Sequence, residues 1–238
     1  MGYIANLFKQ RKSVSLAGMT DWHSHILPGV DDGVQTMAKS LEILSAYETM
    51  GIREVWLTPH IMEDVPNTTA MLQTRFNELK AAYPGNIKLH LSAENMIDSL
   101  FMERMASNEL LPIGMNRDKI LIETSYFNPP VDFFEDTIEK IIDAGYVPII
   151  AHPERYGYVR DLREYETWKA MGLKFQLNIL STSGFYGPDA KHKSEALLQR
   201  GMYDCIGTDI HSPQQIQALK ELRVSPQCAK AIAGVLIP

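Results

Sequence analysis

The chain has 238 residues, of which 45% are hydrophobic and 22% charged, so it can bury a sizeable core as one large domain or two small ones. Its net charge of −6 argues against a nucleic-acid-binding protein, because such proteins usually carry a basic excess on one face. Two cysteines are too few for a disulfide framework and no apolar run approaches the roughly 20 residues that cross a bilayer, so we expect a cytoplasmic protein.

The helical patterns begin after an N-terminal segment, residues 1–18, which we expect to be a tail or a short helix. Residues 19–238 show no linker or repeat and are expected to form a single domain. The clearest helix is predicted over 36–50, with Thr36 as its N-cap and Gly51 just after its last turn. Further helices are predicted over about 68–83, 98–107, 132–144, 161–171, 190–200, 213–222 and 226–235.

Seven strand candidates lie between these helices: Met19–His23, Glu54–Thr58, Ile87–Ala93, Lys119–Thr124, Val147–Ala151, Leu173–Leu180 and Asp204–Thr208. Runs such as Ile120-Leu121-Ile122 are continuously apolar, which is typical of a parallel sheet covered on both faces. The alternation of strands and helices predicts an α/β fold, and seven units favour a closed or nearly closed barrel. A doubly wound open sheet is the alternative, because periodicity does not distinguish the two.

Metal-binding residue types lie at or just after the ends of six of the seven predicted strands. They are His23, His25, His60, Glu94, Glu123, His152, Asp209 and His211. Because parallel strands place their carboxyl ends at one rim, we expect these side chains to meet in one cleft. The His-x-His and Asp-x-His spacings place both members of a pair on the same side of an extended chain. Histidine and carboxylate ligands without thiolates suit Zn²⁺, Mn²⁺ or Fe, and the number of carboxylates favours a site with several metals.

The remaining histidines and both cysteines are given structural interpretations. His90 lies in the middle of a predicted strand and His192 in a polar helical segment, so both are expected to be structural or exposed. A cysteine-based phosphatase needs an arginine six residues after its cysteine, but His211 and Gly234 follow Cys205 and Cys228 at that distance. The chain also lacks a Gly-x-Ser-x-Gly elbow and a Walker A loop, which excludes serine hydrolase and P-loop mechanisms.

The ordered motifs of the chain resemble those of the polymerase-and-histidinol-phosphatase (PHP) superfamily. They are His23-Ser24-His25, Asp31-Asp32-Gly33, Thr58-Pro59-His60, Glu94, His152-Pro153-Glu154-Arg155-Tyr156 and Asp209-Ile210-His211. Within that superfamily, the stretch from His25 to Gly33 and the His-Pro-Glu-Arg-Tyr motif are similar to the bacterial CpsB/CapC-type protein-tyrosine phosphatases. The resemblance implies a distorted seven-stranded (β/α)7 TIM-like barrel, the PHP fold.

The resemblance also implies a set of metal ligands. His23, His25, Glu94 and Asp209 would hold a first ion, Glu94, Glu123 and His152 a second, and Asp32, His60 and His211 a third. Two or three divalent metals are expected, with manganese favoured and iron or zinc as alternatives. Arg155 would bind the substrate phosphate, and a metal-bound hydroxide would be the nucleophile. Some relatives carry a second phosphate-binding arginine after the Asp-x-His motif, whereas here Ser212-Pro213-Gln214-Gln215 follows.

The resemblance therefore predicts a metal-dependent protein-tyrosine phosphatase that opposes a bacterial tyrosine kinase of capsule or exopolysaccharide synthesis. Its substrate would be a phosphotyrosine protein, such as the C-terminal tail of a membrane-associated kinase, which would bring the protein to the inner membrane as a peripheral partner. Oligomer formation is left open. The main alternative is a small-molecule phosphatase similar to histidinol phosphatase, and a metal-binding scaffold without activity is a third hypothesis. A nuclease is disfavoured by the negative charge.

Overall fold

The computed structural model describes residues 11–130 and 133–236. The strands are β1 (Lys12–Ser13), β2 (Thr20–Ser24), β3 (Glu54–Leu57), β4 (His60–Ile61), β5 (Lys88–Leu91), β6 (Glu94–Met96), β7 (Lys119–Glu123), β8 (Val147–Ala151), β9 (Lys174–Asn178), β10 (Cys205–Gly207) and β11 (Arg223–Val224). The helices are α1 (Met37–Met50), α2 (Thr69–Ala82), α3 (Ser99–Ala106), α4 (Phe134–Asp143), α5 (Leu162–Ala170), α6 (Pro188–Gln199), α7 (Pro213–Lys220) and α8 (Pro226–Leu236).

The strands form parallel sheets at all seven predicted positions. Strands β2, β3 and β5 make a three-stranded sheet, and a six-stranded sheet has the order β10-β9-β8-β7-β6-β4. Every pair within these two sheets is parallel. The prediction of an α/β fold with parallel strands is therefore confirmed. In the part of the chain that the structure describes, the strands are divided between two curled sheets and do not form one continuous sheet.

Two of the predicted strands are each three residues shorter than expected. The strand predicted over Ile87–Ala93 stops at Leu91, and pairing resumes in β6 at Glu94, so the chain changes sheets at this break. The strand predicted over Leu173–Leu180 ends at Asn178, whose side-chain oxygen accepts a hydrogen bond from N–H of Leu180 and starts a 3₁₀ turn. Asparagine competes in this way with continued strand pairing, which explains the early end.

Helix α1 has the boundaries and the caps that its sequence predicts. The side chain of Thr36 accepts a hydrogen bond from N–H of Lys39, and Gly51 follows the helix with a φ of +80°. A residue with a side chain rarely adopts this left-handed conformation, which explains the glycine. The inner face of the helix buries Ile43 and Leu44 in the large apolar core.

In the six-stranded sheet, apolar side chains of β7 pack on both faces. Ile120 and Ile122 of β7 belong to the large core that the helices cover, whereas Leu121 belongs to a second cluster with Trp56 and Ile149. Alternate residues of a strand point to opposite faces, so a continuously apolar run matches a sheet that is covered on both sides.

The N-terminal segment contributes a short strand to the described structure. Strand β1 pairs antiparallel with β11 near the end of the chain, and Leu16 is buried in the core. Residues 1–10 of the predicted tail or short helix, and Asp132 at the start of the helix predicted over 132–144, lie outside the described residues. Within residues 11–130 and 133–236, no helix has both the length and the apolar character needed to cross a membrane.

Candidate metal centre

The predicted ligands converge where the strands of both sheets end. The possible ligand atoms form three groups, and within each group they all lie within 4.8 Å of one another. The groups are His25, Asp32, His60 and His211; His23, His25 and Glu94; and His60, Glu94 and Glu123. The two remaining predicted ligands join the same cluster, since Nε2 of His152 is 2.9 Å from Glu94 and a carboxylate oxygen of Asp209 is 3.4 Å from His23. The structure thus brings all nine predicted side chains together.

Glu94 lies at the middle of the cluster. Its Oε2 is 3.2 Å from Nε2 of His23, from Nε2 of His25 and from Nδ1 of His60. Its other oxygen, Oε1, is 2.9 Å from Nε2 of His152. One fully buried carboxylate therefore faces four imidazole rings, and both of its oxygens point into the cluster.

His23 and His25 direct the same type of nitrogen toward one point. Their Nε2 atoms are 3.0 Å apart, and Oδ1 of Asp209 is 3.4 Å from each of them. Two neutral acceptor nitrogens repel at this distance unless a proton or a cation lies between them. The pair therefore offers a chelating site of two nitrogens and one carboxylate oxygen.

The group of His25, Asp32, His60 and His211 lies nearer to solvent. Oδ1 of Asp32 is 3.5 Å from Nε2 of His60 and 3.5 Å from Nε2 of His211. The Asp32 side chain is 72% exposed, whereas the carboxylate of Glu94 is fully buried, so the cluster opens to solvent at Asp32. The other ring nitrogen of His60, Nδ1, is 3.0 Å from Glu123, so this histidine belongs both to this group and to the group with Glu94 and Glu123.

The carboxylates change the protonation of the buried rings around them. Burial alone would lower the pKa of His23, but the charges of Glu94 and Asp209 outweigh it and raise this pKa to about 9. His60 behaves in the same way beside Glu94 and Glu123, and its pKa rises to about 10. Burial and the charge of Glu94 raise the pKa of Glu123 to about 7. The cluster thus attracts positive charge.

The donor set fits divalent metals. The cluster contains five carboxylates, Asp31, Asp32, Glu94, Glu123 and Asp209, whereas Arg155 is the one permanent cation among the described residues that line the adjoining cleft. Nδ1 of His60 and Oε2 of Glu94 face each other at 3.2 Å without forming a hydrogen bond, and each is a buried polar atom without a partner in the described structure. Uncompensated buried charge is costly, and a divalent cation would satisfy both atoms.

Two of the predicted ligands adopt a left-handed backbone conformation. His152 has a φ of +33° and Asp209 a φ of +51°, and both follow directly after the strand or turn that delivers them. Such conformations cost energy for residues other than glycine and concentrate at functional sites. Here they turn the two side chains toward Glu94 and His23 at the point where β8 and β10 have ended.

Polar residues that the sequence analysis did not select hold the ligands in place. The side-chain oxygen of Gln176 accepts a hydrogen bond from Nδ1 of His23 over 2.9 Å and another from the backbone N–H of His152 over 3.3 Å. Asn178 donates from its side chain to Oδ2 of Asp209 over 3.0 Å. Both come from β9, the one predicted strand without a ligand, and their i and i+2 spacing within an apolar strand is the signal that could have identified them.

Arg155 lies at the mouth of the cluster in a cleft of about 380 Å³. Its Nη1 donates to Oδ2 of Asp209 over 2.5 Å. The guanidinium plane is covered on its faces by the rings of Tyr126 and Tyr186, whose centroids are 4.5 Å and 4.1 Å from the guanidinium carbon. Within residues 11–130 and 133–236 its remaining side-chain N–H groups have no hydrogen-bond partner, so they are free to bind an anion.

His90 and His192 lie away from the cluster, in the settings that the sequence analysis expected. Nε2 of His90 is 2.6 Å from Glu54, and its ring stacks on Trp56 with centroids 4.5 Å apart. His192 is exposed on α6.

Comparison with known proteins identifies relatives over most of the chain. A family model described as capsular polysaccharide synthesis, CpsB/CapC, matches residues 19–228. The tyrosine-protein phosphatase YwqE of Bacillus subtilis is 30% identical over 202 residues, which cover 82% of this chain and 78% of the relative. CpsB of Streptococcus pneumoniae, also named a tyrosine-protein phosphatase, is 24% identical over 215 residues, covering 82% of this chain and 83% of that protein.

A solved structure shares the fold. It comes from a crystallographic study of YwqE from Bacillus subtilis and CpsB from Streptococcus pneumoniae, described there as unique metal-dependent tyrosine phosphatases. The structural match has a TM-score of 0.73 at 27% sequence identity and covers 90% of this chain and 86% of the other.

Proposed function

The chain belongs to the CpsB/CapC family of capsular polysaccharide synthesis, and we propose that it is a metal-dependent protein-tyrosine phosphatase. The observation that carries this proposal is the cluster of histidines and carboxylates around Glu94, which adjoins the cleft that contains Arg155. Such a cluster suits divalent metals, and the planar guanidinium suits phosphate. The names of the relatives support phosphotyrosine as the substrate group.

The proposed centre contains two or three divalent ions, with manganese favoured over iron or zinc. The first would be held by His23, His25, Glu94 and Asp209, the second by Glu94, Glu123 and His152, and the third by Asp32, His60 and His211. The four imidazole contacts of Glu94 support its place between the first two ions. When bound, the metals supply an activated water and positive charge for the phosphoryl oxygens.

The residues around the metals position the phosphoester. Arg155 would bind the phosphate through its free N–H groups, because Asp209 occupies Nη1 and the two tyrosine rings cover its faces. These three contacts restrict the guanidinium to one plane and so favour a single orientation of the phosphate. A tyrosine leaving group has a pKa of about 10 and departs more readily than a serine alkoxide, which suits a site rich in metal ligands.

We further propose that the two sheets belong to one distorted seven-stranded barrel formed by a single domain over residues 19–238. The backbone N–H of Asp209 donates to the carbonyl of His23 over 2.8 Å, and N–H of His25 donates to the carbonyl of Ile210 over 3.0 Å. These bonds join the end of β2 to the segment after β10 and support closure between the first and last parallel strands.

The biological setting that we propose follows from the family. The protein would act in the cytoplasm on the phosphorylated C-terminal tail of a membrane-associated tyrosine kinase of capsule synthesis, either alone or as an oligomer. Incubation with such a phosphorylated tail, followed by detection of phosphotyrosine, tests this assignment. A tail that keeps its phosphate, while a short phosphotyrosine peptide is hydrolysed, would assign the enzyme to a different protein substrate.

The activity itself is tested with three phosphomonoesters: a phosphotyrosine peptide, a phosphoserine peptide of the same sequence, and histidinol phosphate. Each is incubated with the protein in added Mn²⁺ and after treatment with a chelator, and released phosphate is measured. We expect metal-dependent turnover of the phosphotyrosine peptide at the highest kcat/KM. Preference for histidinol phosphate would indicate the small-molecule phosphatase, and absence of turnover with every metal would favour the scaffold without activity.

A further inference from the structure

Tyr126 combines two contacts that connect the phosphate-binding group with the metal ligands. It lies on the loop that follows β7, and its ring covers one face of the Arg155 guanidinium at 4.5 Å. Its hydroxyl reaches in the other direction and is 3.4 Å from Nε2 of His152. The side chain therefore lines the cleft between the group that would bind phosphate and the ligands of the second proposed metal.

The hydroxyl of Tyr126 is poorly satisfied by the protein. The contact with His152 is its one hydrogen bond to the described part of the chain, and 3.4 Å is long for such a bond. Nearby buried tyrosines differ, because Tyr165 donates to the carbonyl of Pro153 over 3.0 Å and Tyr203 donates to Glu154 over 2.8 Å. Tyr126 thus has a donor available at the site of the reaction.

Metal binding would free this donor completely. Nε2 of His152 already faces Oε1 of Glu94 at 2.9 Å, and it is the ring nitrogen that points into the cluster. A nitrogen that ligates a metal has no lone pair left to accept a hydrogen bond from Tyr126. The hydroxyl would then need another acceptor. The oxygens of a phosphoryl group bound at Arg155 would lie within the same cleft.

We propose that Tyr126 is a further catalytic residue, whose hydroxyl donates a hydrogen bond to an oxygen of the phosphoryl group during hydrolysis. The inference rests on the proposed phosphatase function. In this step the oxygen of water bonds to phosphorus and the water releases one proton to solvent, while its other proton stays on the product phosphate. The bond from phosphorus to the phenolic oxygen breaks, and that oxygen keeps the electron pair and takes a proton from solvent. Tyr126 keeps its own proton and stabilises charge that grows on an oxygen as the ester bond breaks.

The test removes the hydroxyl without removing the ring. In Tyr126→Phe the aromatic face over Arg155 remains, and we expect kcat on a phosphotyrosine peptide to fall about 10- to 100-fold. Tyr158→Phe is the matched control: its hydroxyl lies 2.8 Å from Thr124, at the start of the same loop and outside the cleft, so this variant should keep wild-type kcat. Metal content, measured by elemental analysis, should be the same in all three proteins.

A second measurement is independent of turnover. Inorganic phosphate is titrated into the metal-loaded proteins by calorimetry, and Tyr126→Phe should bind it about 2- to 10-fold more weakly than Tyr158→Phe does. Unchanged kcat and unchanged phosphate affinity in Tyr126→Phe, with losses appearing only in Tyr126→Leu, would overturn the proposal and leave the ring as a support for Arg155. If the wild-type protein hydrolyses no phosphomonoester, the proposed function fails, while the phosphate titration still tests the hydroxyl.

Leaving groups then identify the oxygen that accepts the bond. Phenyl phosphate and p-nitrophenyl phosphate release phenolates of different basicity. A larger loss in Tyr126→Phe with phenyl phosphate would place the hydrogen bond on the leaving oxygen, and equal losses with both esters would place it on a nonbridging oxygen. Either pattern supports Tyr126 as a donor to the phosphoryl group.

Discussion

Nδ1 of His25 donates a hydrogen bond to Oδ2 of Asp31 over 2.7 Å. Because Nδ1 is engaged in this bond, the other nitrogen, Nε2, is the one that points into the cluster, where it is 3.2 Å from Oε2 of Glu94. The same carboxylate oxygen accepts from the backbone N–H of His60 over 3.1 Å, so Asp31 also orients a second candidate ligand. Asp31 is therefore a residue that positions ligands, while its neighbour Asp32 offers an oxygen to the cluster itself.

Replacement of Asp31 should weaken metal binding without removing any ligand. We expect Asp31→Asn to lower the affinity for Mn²⁺ about 10- to 100-fold, because hydrogen-bond partners of ligating histidines typically contribute that much. Competition with a fluorescent chelator measures the affinity. Asp64→Asn is the control, since Asp64 is exposed and lies outside the groups of ligand atoms. Equal affinities of the two variants would show that Asp31 does not orient His25.

Metal binding should displace protons from the buried histidines. In the metal-free protein the pKa of His23 is about 9 and that of His60 about 10, so both rings are in the positively charged form, with a proton on each nitrogen, at pH 7. Ligation through these rings releases the protons, and we expect the apparent affinity for metal to rise with pH up to about 9 to 10. Calorimetry in buffers of different ionisation enthalpy counts the protons released at pH 7. A count of zero would contradict the prediction.

The raised pKa values of His23 and His60 also determine how the stability of the metal-free fold changes with pH. A histidine whose pKa is higher in the folded than in the unfolded protein stabilises the fold fully below its unfolded pKa of about 6.5. That stabilisation is lost as pH rises through the folded value, so the melting temperature of the chelated protein should fall between pH 7 and pH 10. The metal-loaded protein should lose less over this window, because its ligands carry no proton. Thermal unfolding with and without chelator compares the two.

The sequence predicts that these side chains converge, because the signal for their positions is local. His23 with His25, and Asp209 with His211, are spaced to face the same side, and they follow apolar runs that become parallel strands. Once strands of one polarity form a sheet, their carboxyl ends meet, so a list of strand ends is sufficient to gather these side chains. Glu94 is a partial exception to this rule. The predicted strand before it ends at Leu91, and Glu94 begins the next strand, β6, in the other sheet.

The groups around the ligands depend on tertiary contacts and were not predicted. Tyr126 and Tyr186 are 60 positions apart and meet only across Arg155, so no local spacing connects them. Asp31 belongs to the Asp31-Asp32-Gly33 motif, but its role follows from a contact with His25 that a sequence motif does not contain. The division of the strands between two sheets also escaped prediction, because each apolar run looks continuous when it is read alone.

Arg155 should contribute to phosphate binding and not to metal binding. We expect Arg155→Ala to lower kcat/KM on a phosphotyrosine peptide about 100-fold, and Arg155→Lys to recover only part of this loss, because lysine lacks the planar donor group. Metal content should stay unchanged, since Asn178 still bonds Asp209. Arg160→Ala, an exposed arginine nearby, is the control with wild-type activity. A loss of metal in Arg155→Ala would instead indicate that the arginine supports the cluster.

Asp21 should stabilise the fold beneath the metal centre. Its buried carboxylate accepts hydrogen bonds from N–H of Thr208 over 2.8 Å and from the hydroxyl of Tyr47 over 2.9 Å, so it connects β2, α1 and the end of β10. Burial raises the pKa of Asp21 to about 6 despite these bonds. We expect Asp21→Ala to lower the free energy of unfolding by about 3 kcal/mol, because all of the buried donors around this carboxylate lose their acceptor.

Two milder variants separate the hydrogen bonds of Asp21 from its charge. Asp21→Asn keeps one acceptor oxygen and removes the charge, so it should cost less than Asp21→Ala, and Tyr47→Phe should cost about 1 kcal/mol because it removes a single donor. Urea unfolding, followed by tryptophan fluorescence in the presence of chelator, measures stability without a contribution from bound metal. If Asp21→Asn is as unstable as Asp21→Ala, the negative charge, and not the acceptor geometry, is what joins the first and last parallel strands.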